Sequence, residues 1–481
     1  MKIIIFICDA TFIRYFDRII RKILSDDSKE LLLLTRTREW MELLQEKYPE
    51  AMVGIGYHPD IIDRFTPDIL LAGQIWWWDI EPVLKHARNL NIPILHFEHG
   101  ALLSISAYIL EKEENYLDYR SNLALCSHVA VWGDRPKEVW VSYGVSHEKF
   151  LITGAPHLDY LYELKSRPKI NVYEKLGIAK KKILFVYTVV TGQNEKFDRY
   201  CLDLLPHIEH FVANHPEYQL VIKPHPSEML WYDRMKYQTA PETIVIAHHT
   251  EDCRWENVKR VDVDEIVYNS DVVIGMSSSS MFTPIILNVP FIHFEMDDCL
   301  SHDVASFGKK CHYNISDPSG IGQVILEAVG NVDYDSSDMA RHLNYNNDGR
   351  ATKRIVNAIE QIVAEKRKGR FFYTTIEEEF LENIRRYPFL PYPVKSLIEY
   401  YIKEDNMAEA EKWLAEYCRK FNDPTPLLRK MALHCYENKN DKPTTLKYLV
   451  LYNKYQPLPP ELMHIYKQSL FESEIRSIYA I

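Results

Sequence analysis

The residues of this chain that could do chemistry fall in short runs, each directly behind an apolar stretch. KPHPSE (223–228) follows Gln219–Ile222. Lys223 is a point positive charge and His225 donates or accepts near neutral pH, a pair suited to a phosphate. Pro224 and Pro226 fix the backbone around the imidazole, and Glu228 closes the run. Ser277, Ser278, Ser279 and Ser280 stand between the apolar run Val272–Ile274 and a helically spaced set, Met281, Phe282, Ile285 and Ile286. Free N–H groups and the positive end of a helix dipole attract anions there, and hydroxyls add neutral donors. One serine suffices for a cap, so four in a row read as an anion site.

Glu98-His99-Gly100 closes the run Ile92–His96. His99 suits a general base, Glu98 is placed to orient its imidazole, and Gly100 permits close backbone approach. A half-buried structural histidine is the competing reading. Gly154 ends Phe150–Thr153 in the same way, and Thr188 opens the polar loop TVVTGQN (188–194) after Ile183–Tyr187. Trp76, Trp77 and Trp78 read as core in preference to a sugar-stacking platform. Asp297-Asp298 has no ligand partner at a recognisable spacing, so no metal is expected.

These runs need strands to deliver them. Apolar runs alternate with amphipathic helices from Lys2 to Thr153, and again from Ile183 to about Lys368. That alternation predicts parallel α/β sheets with ligands at the carboxyl ends of strands. The predicted fold is α/β, with two Rossmann-like domains facing a cleft, plus a C-terminal all-α helical-repeat-like module. The expected boundaries are 1–165 for the N-terminal domain, 166–370 for the second and 371–481 for the helices. Polar residues 165–182 read as the connection between the halves, and a helix from Gly349 to Lys368 as the close of the second. MAEAEKWLAEYCRKF (407–421) and LLRKMALHCYENKND (427–441) loosely match paired tetratricopeptide-type helices, with Ala408, Ala410, Leu414 and Tyr417 as an inward stripe.

At 481 residues the chain is too long for one core. Its net charge of −11 argues against a general nucleic-acid binder, which wants a basic field. Eight scattered cysteines without a CxxC pair suggest reduced thiols. MKIIIFIC is interrupted at Asp9, too early for a signal peptide, and no run approaches the ~20 apolar residues of a membrane span. A cytoplasmic protein is expected, with peripheral contact at the inner membrane face left open.

HFEHG, VWGDRPKEVWVSYGVSHEKFLITGAPHLD (131–159), VIKPHP, DVVIGMSSSSMF and NDGRATKRIVNAI (347–359) occur in that order. The order resembles the GT-B transferases of bacterial surface-polymer synthesis. These include the CDP-glycerol glycerophosphotransferases of teichoic-acid assembly, the capsule Kdo and sialic-acid transferases and, more distantly, the UDP-N-acetylglucosamine 2-epimerases. The resemblance implies that His99 is the base, that His225 serves the donor phosphate, and that the serines form a phosphate-binding turn. The teichoic-acid enzymes follow their HG with a threonine and a lysine-containing loop, where this chain has Ala101-Leu102-Leu103. The expectation is therefore metal-independent sugar transfer from a CMP- or other nucleotide-sugar donor to a glycan or lipid-linked acceptor, without a cofactor. Glycerophosphate transfer is the alternative; an epimerase or a scaffold is the second. The helical module would serve docking or homo-oligomerisation.

Overall fold

A computed structural model describes residues 1–7, 10–73, 75, 80–98, 122–142, 145–168, 171–179, 181–188, 195–224, 243–246, 258–259, 262–275, 279–294, 313–421 and 423–479. The first half supplies β1 (Lys2–Phe6), β2 (Glu30–Thr35), β3 (Met52–Ile55), β4 (Ile69–Ala72), β5 (Ile94–Phe97), β6 (His128–Val131) and β7 (Phe150–Ile152). The second supplies β8 (Lys182–Thr188), β9 (Tyr218–Pro224), β10 (Ile244–Ile246), β11 (Val258–Lys259), β12 (Val272–Gly275), β13 (Phe291–Phe294) and β14 (Tyr313–Ile315). Each set forms one seven-stranded sheet, ordered β3-β2-β1-β4-β5-β6-β7 and β11-β10-β9-β8-β12-β13-β14. All neighbours are parallel. Helices cover both faces, so central strands such as KIIIF, ILLA and VVIG are apolar almost throughout. This is the two-Rossmann, GT-B-like arrangement followed by a helical region.

Three features depart from the sequence reading. Strands β3 and β14 lie at sheet edges, and β3 is no more than half-buried along its length, so neither writes a long apolar run. The connection at 165–182 is packed: its flanking helices Asp159–Ser166 and Val172–Leu176 bury Leu161, Leu164, Val172 and Leu176 in the main core.

The third departure concerns the helix Ala351–Arg367, which returns to the first half instead of closing the second. Both oxygens of buried Asp159 accept from its first amides, Ala351 N at 3.0 Å and Thr352 N at 2.8 Å. Arg354 donates to the Thr153 carbonyl at 2.7 Å, and Lys29 and Asp68 pair with Glu360 and Arg367. Gly154 lies beneath this contact at φ +80, where a Cβ would stand 3.1 Å from the Ala351 Cβ and from an Arg354 nitrogen. Its glycine thus answers to helix packing in the structure.

The two sheets share one core. Trp132, fully buried after β6, meets Phe282 edge-on at 5.2 Å, and Phe185, Val273 and Met281 continue the cluster. Beyond residue 370, the described residues form six helices, Ile376–Arg386, Pro391–Lys403, Met407–Lys420, Thr425–Glu437, Lys442–Tyr452 and Pro460–Tyr479, and the fourth packs against the second as well as the fifth. They dock on the first half at the starts of β5 to β7. Tyr373 donates to the Ile92 carbonyl, Phe371 stacks on His128, and Lys149 pairs with Glu379 at 2.6 Å. These contacts stand at the amino ends of the strands, and Lys403 reaches further along the first half to pair with Glu81 at 2.8 Å, where the helix Glu81–Asn89 begins.

Candidate functional site

In the second sheet the strand order reverses between β8 and β12, which opens a crevice at their carboxyl ends where parallel sheets take ligands. Register brings three candidate runs to one level. Thr188 pairs with Pro224 at the ends of β8 and β9, and Ile274 pairs with Val186 one residue before Gly275. A Cβ on Gly275 would sit 3.2 Å from the Phe291 ring and 3.6 Å from Tyr187, so the turn there is tightly packed. Thr188 is 2% exposed, and buried Lys223 turns its ammonium back to the Pro224 carbonyl at 2.5 Å. Ser279 and Ser280 belong to a short 3₁₀ turn that runs into the helix Phe282–Leu287, and Ser280 is half-buried. Pro284 falls in that helix's first turn, and Asn288 ends it in the left-handed conformation.

His225, Pro226, Glu228, Ser277 and Ser278 lie outside the described residues, as do His99, Gly100, Trp76–Trp78 and Asp297-Asp298; the side chain of Ser279 is likewise outside them. Among the described residues, no group of three or more His, Cys, Asp and Glu stands together as a metal site, and no helix is long and apolar enough to cross a membrane.

The geometry adds a cluster that the spacing did not single out. Thr283, in the first turn after the serines, donates to Asp264 at 3.0 Å and contacts the Tyr187 hydroxyl. Burial pushes the Asp264 carboxyl up, and the Thr283 hydrogen bond and the charge of Arg14 oppose it. Tyr187 is pushed up for the same reason, again against Arg14. Arg14 stands on the helix Ala10–Leu24, directly after β1 at the first sheet's own reversal. The charge of Arg14, a residue of the first half, is thus felt by Tyr187 and Asp264 of the second. The sequence did not mark Arg14 out, because the same helix also carries Asp17, Arg18, Arg21 and Lys22.

Glu98 follows β5 and is 2% exposed. Trp140 Nε1 donates to its Oε1 at 3.1 Å, Oε2 has no hydrogen-bond partner among the described residues, and Trp132 Nε1 donates to its carbonyl at 2.9 Å. Burial pushes the carboxyl up to about 8, opposed by the Trp140 hydrogen bond. The folded state thus favours the protonated acid, and its stability falls as pH rises from the ordinary carboxylate range through about 8. His128, pushed down to about 4 by burial and the nearby Lys149 charge, gives the opposite slope, from about 6.5 downward. From pH 6.5 to 8 His128 no longer contributes, and for Glu98 about 1.4 kcal/mol per pH unit gives a loss of about 2 kcal/mol. Denaturant midpoints of wild type should therefore fall more steeply across that window than those of Glu98→Gln. An equal slope in both proteins overturns the assignment.

Residues 121–302 match a known family. Its model is described as CDP-Glycerol:Poly(glycerophosphate) glycerophosphotransferase, and the matched stretch runs from just before β6 to just past β13. That glycerophosphotransferase match contains Lys223, His225 and the serines, and leaves out Glu98 and His99. No protein of curated function matches the chain. Among solved structures, a putative UDP-N-acetylglucosamine 2-epimerase from Listeria monocytogenes is 13% identical, with a TM-score of 0.55, over 75% of this chain and 96% of its own. The S. aureus MnaA–UDP co-structure is 14% identical, with a TM-score of 0.55, over 76% and 97%. The Neisseria meningitidis UDP-GlcNAc 2-epimerase, bound to UDP-GlcNAc, is 14% identical, with a TM-score of 0.53, over 75% and 100%. These likenesses establish a shared fold.

Proposed function

We propose that the chain is a transferase that takes its group from a nucleotide-activated donor held at the carboxyl ends of β8, β9 and β12. The observation that carries this reading is the alignment of Thr188, Pro224 and Gly275 at the reversal of the second sheet. Each of these ends leads into a run suited to phosphate. In the proposed reaction His99, on the first half, takes the proton of an acceptor hydroxyl, whose oxygen attacks the donor. Lys223, His225 and the turn Ser277–Ser280 stabilise the charge that gathers on the departing phosphate, the electrostatic contribution that usually dominates. The group moved is a sugar, and the acceptor a glycan or a surface polymer. The family match at 121–302 favours a second reading, in which glycerophosphate is moved from CDP-glycerol.

Nucleotide release from CMP-, UDP- and GDP-sugars and from CDP-glycerol separates the two readings. Turnover of a sugar donor supports the first, and turnover of CDP-glycerol alone supports the second. Loss of both turnover and thermal stabilisation across the whole panel overturns the transferase, and a sugar epimerised without an acceptor replaces it. In this proposal protein groups meet the phosphates in place of a metal ion, so the rate should be unchanged in excess EDTA. An enzyme silenced by EDTA and restored by Mg²⁺ removes the metal-independent mechanism.

A further inference from the structure

Residues 122–125, which lead into β6, are held by the helical region. Lys149 donates to the Leu123 and Ala124 carbonyls at 3.5 and 2.9 Å, and its ammonium pairs with Glu379. The side chains of this pair are only 9% and 3% exposed. Arg88 repeats the pattern, donating to the Ala124 carbonyl at 3.2 Å and to the Thr374 carbonyl. Ala124 itself packs into the core of the helical region. On its other side Asn122, fully buried, donates to the Ile75 carbonyl, just past the end of β4. Strand β4 borders the reversal of the first sheet. One chain of contacts thus runs from the helices through residues 124–122 to the cleft wall of the first half.

We propose that Glu379 is a positioning residue for the acceptor side of the cleft, acting through Lys149 on the carbonyls of Leu123 and Ala124. Without the carboxylate, the Lys149 charge has no buried partner, and the carbonyls that it holds lose a fixed donor. The helical region then has a task in catalysis although it stands away from the donor crevice. The catalytic part of this inference rests on the proposed transferase.

The test uses the full chain with Lys149→Met and Glu379→Met combined. Well-packed apolar residues can replace a buried ion pair at little cost in stability, yet they cannot hold the two carbonyls. The double variant should keep the wild-type melting temperature, and the amides of Ile75 and of residues 122–126 should exchange about tenfold faster. Nucleotide release from CDP-glycerol, UDP-N-acetylglucosamine or CMP-sialic acid, whichever the intact protein turns over, should lose about tenfold in kcat at an unchanged donor KM. Wild-type exchange at these amides, or wild-type kcat, overturns the positioning role. If the double variant does not fold, Glu379→Gln carries the same measurements, with the same outcomes for and against. An intact protein that turns over none of the three donors counts against the transferase, while amide exchange still decides the contact chain.

Discussion

Transfer by His225→Ala should fall by roughly a factor of 10² to 10³, the usual cost of removing one preorganised group facing developing charge. The residue follows Pro224, the last residue of β9, at the level where Thr188 and Gly275 also end. A strand-end loop position can lose a side chain without disturbing the sheet, so the variant should fold with the wild-type melting temperature. Donor affinity should weaken less than the rate, because a charge that develops late in the reaction is felt most in the transition state. Steady-state kinetics on the folded variant decide it. Activity within a few-fold of wild type removes His225 from the mechanism and leaves Lys223 and the serine turn to carry it.

The largest effect on stability is expected at Trp132. Truncation to alanine removes a fully buried ring, its contacts with His157 at 4.9 Å and Phe282 at 5.2 Å, and the donor to the Glu98 carbonyl. Large aromatic-to-alanine changes in a core cost about 3–5 kcal/mol. Trp132→Phe, which keeps an aromatic ring but loses the five-membered ring and its N–H, should cost less. Urea unfolding followed by circular dichroism measures both variants. A loss under about 1 kcal/mol for the alanine variant means that the two halves are held together elsewhere.

Much of the fold was legible because burial on both faces of a parallel sheet writes apolar runs. Val272–Ile274, Ile183–Tyr187 and Lys2–Phe6 all became central strands for that reason. Edge strands β3 and β14 were not legible, since at four and three residues neither writes a run long enough to read. The helix at 351–367 was readable as a helix and not as a partner of the first half. Periodicity says that one face is apolar, but the residue that meets its N-terminus, Asp159, is distant in sequence. Candidate residues at strand ends could be listed for the same reason as the strands. Arg14, Asp264 and the Lys149–Glu379 pair could not, because charge partners are set by tertiary distance and leave no local pattern. Gly154 shows that one signal can have two sources: a glycine at a strand end suggested a ligand, and the structure also places a helix against it.

The return of the helix Ala351–Arg367 also sets an order of completion during synthesis. All seven strands of the first sheet leave the ribosome by residue 152, but Asp159 must wait for the amides of Ala351 and Thr352. The second sheet closes earlier, with β14 and the helix Ile321–Gly330. The half that is born first is therefore finished last. Until residue 351 emerges, the surface around Thr153 and Gly154 is bare, and this is the interval in which a nascent chain would need a chaperone to cover it.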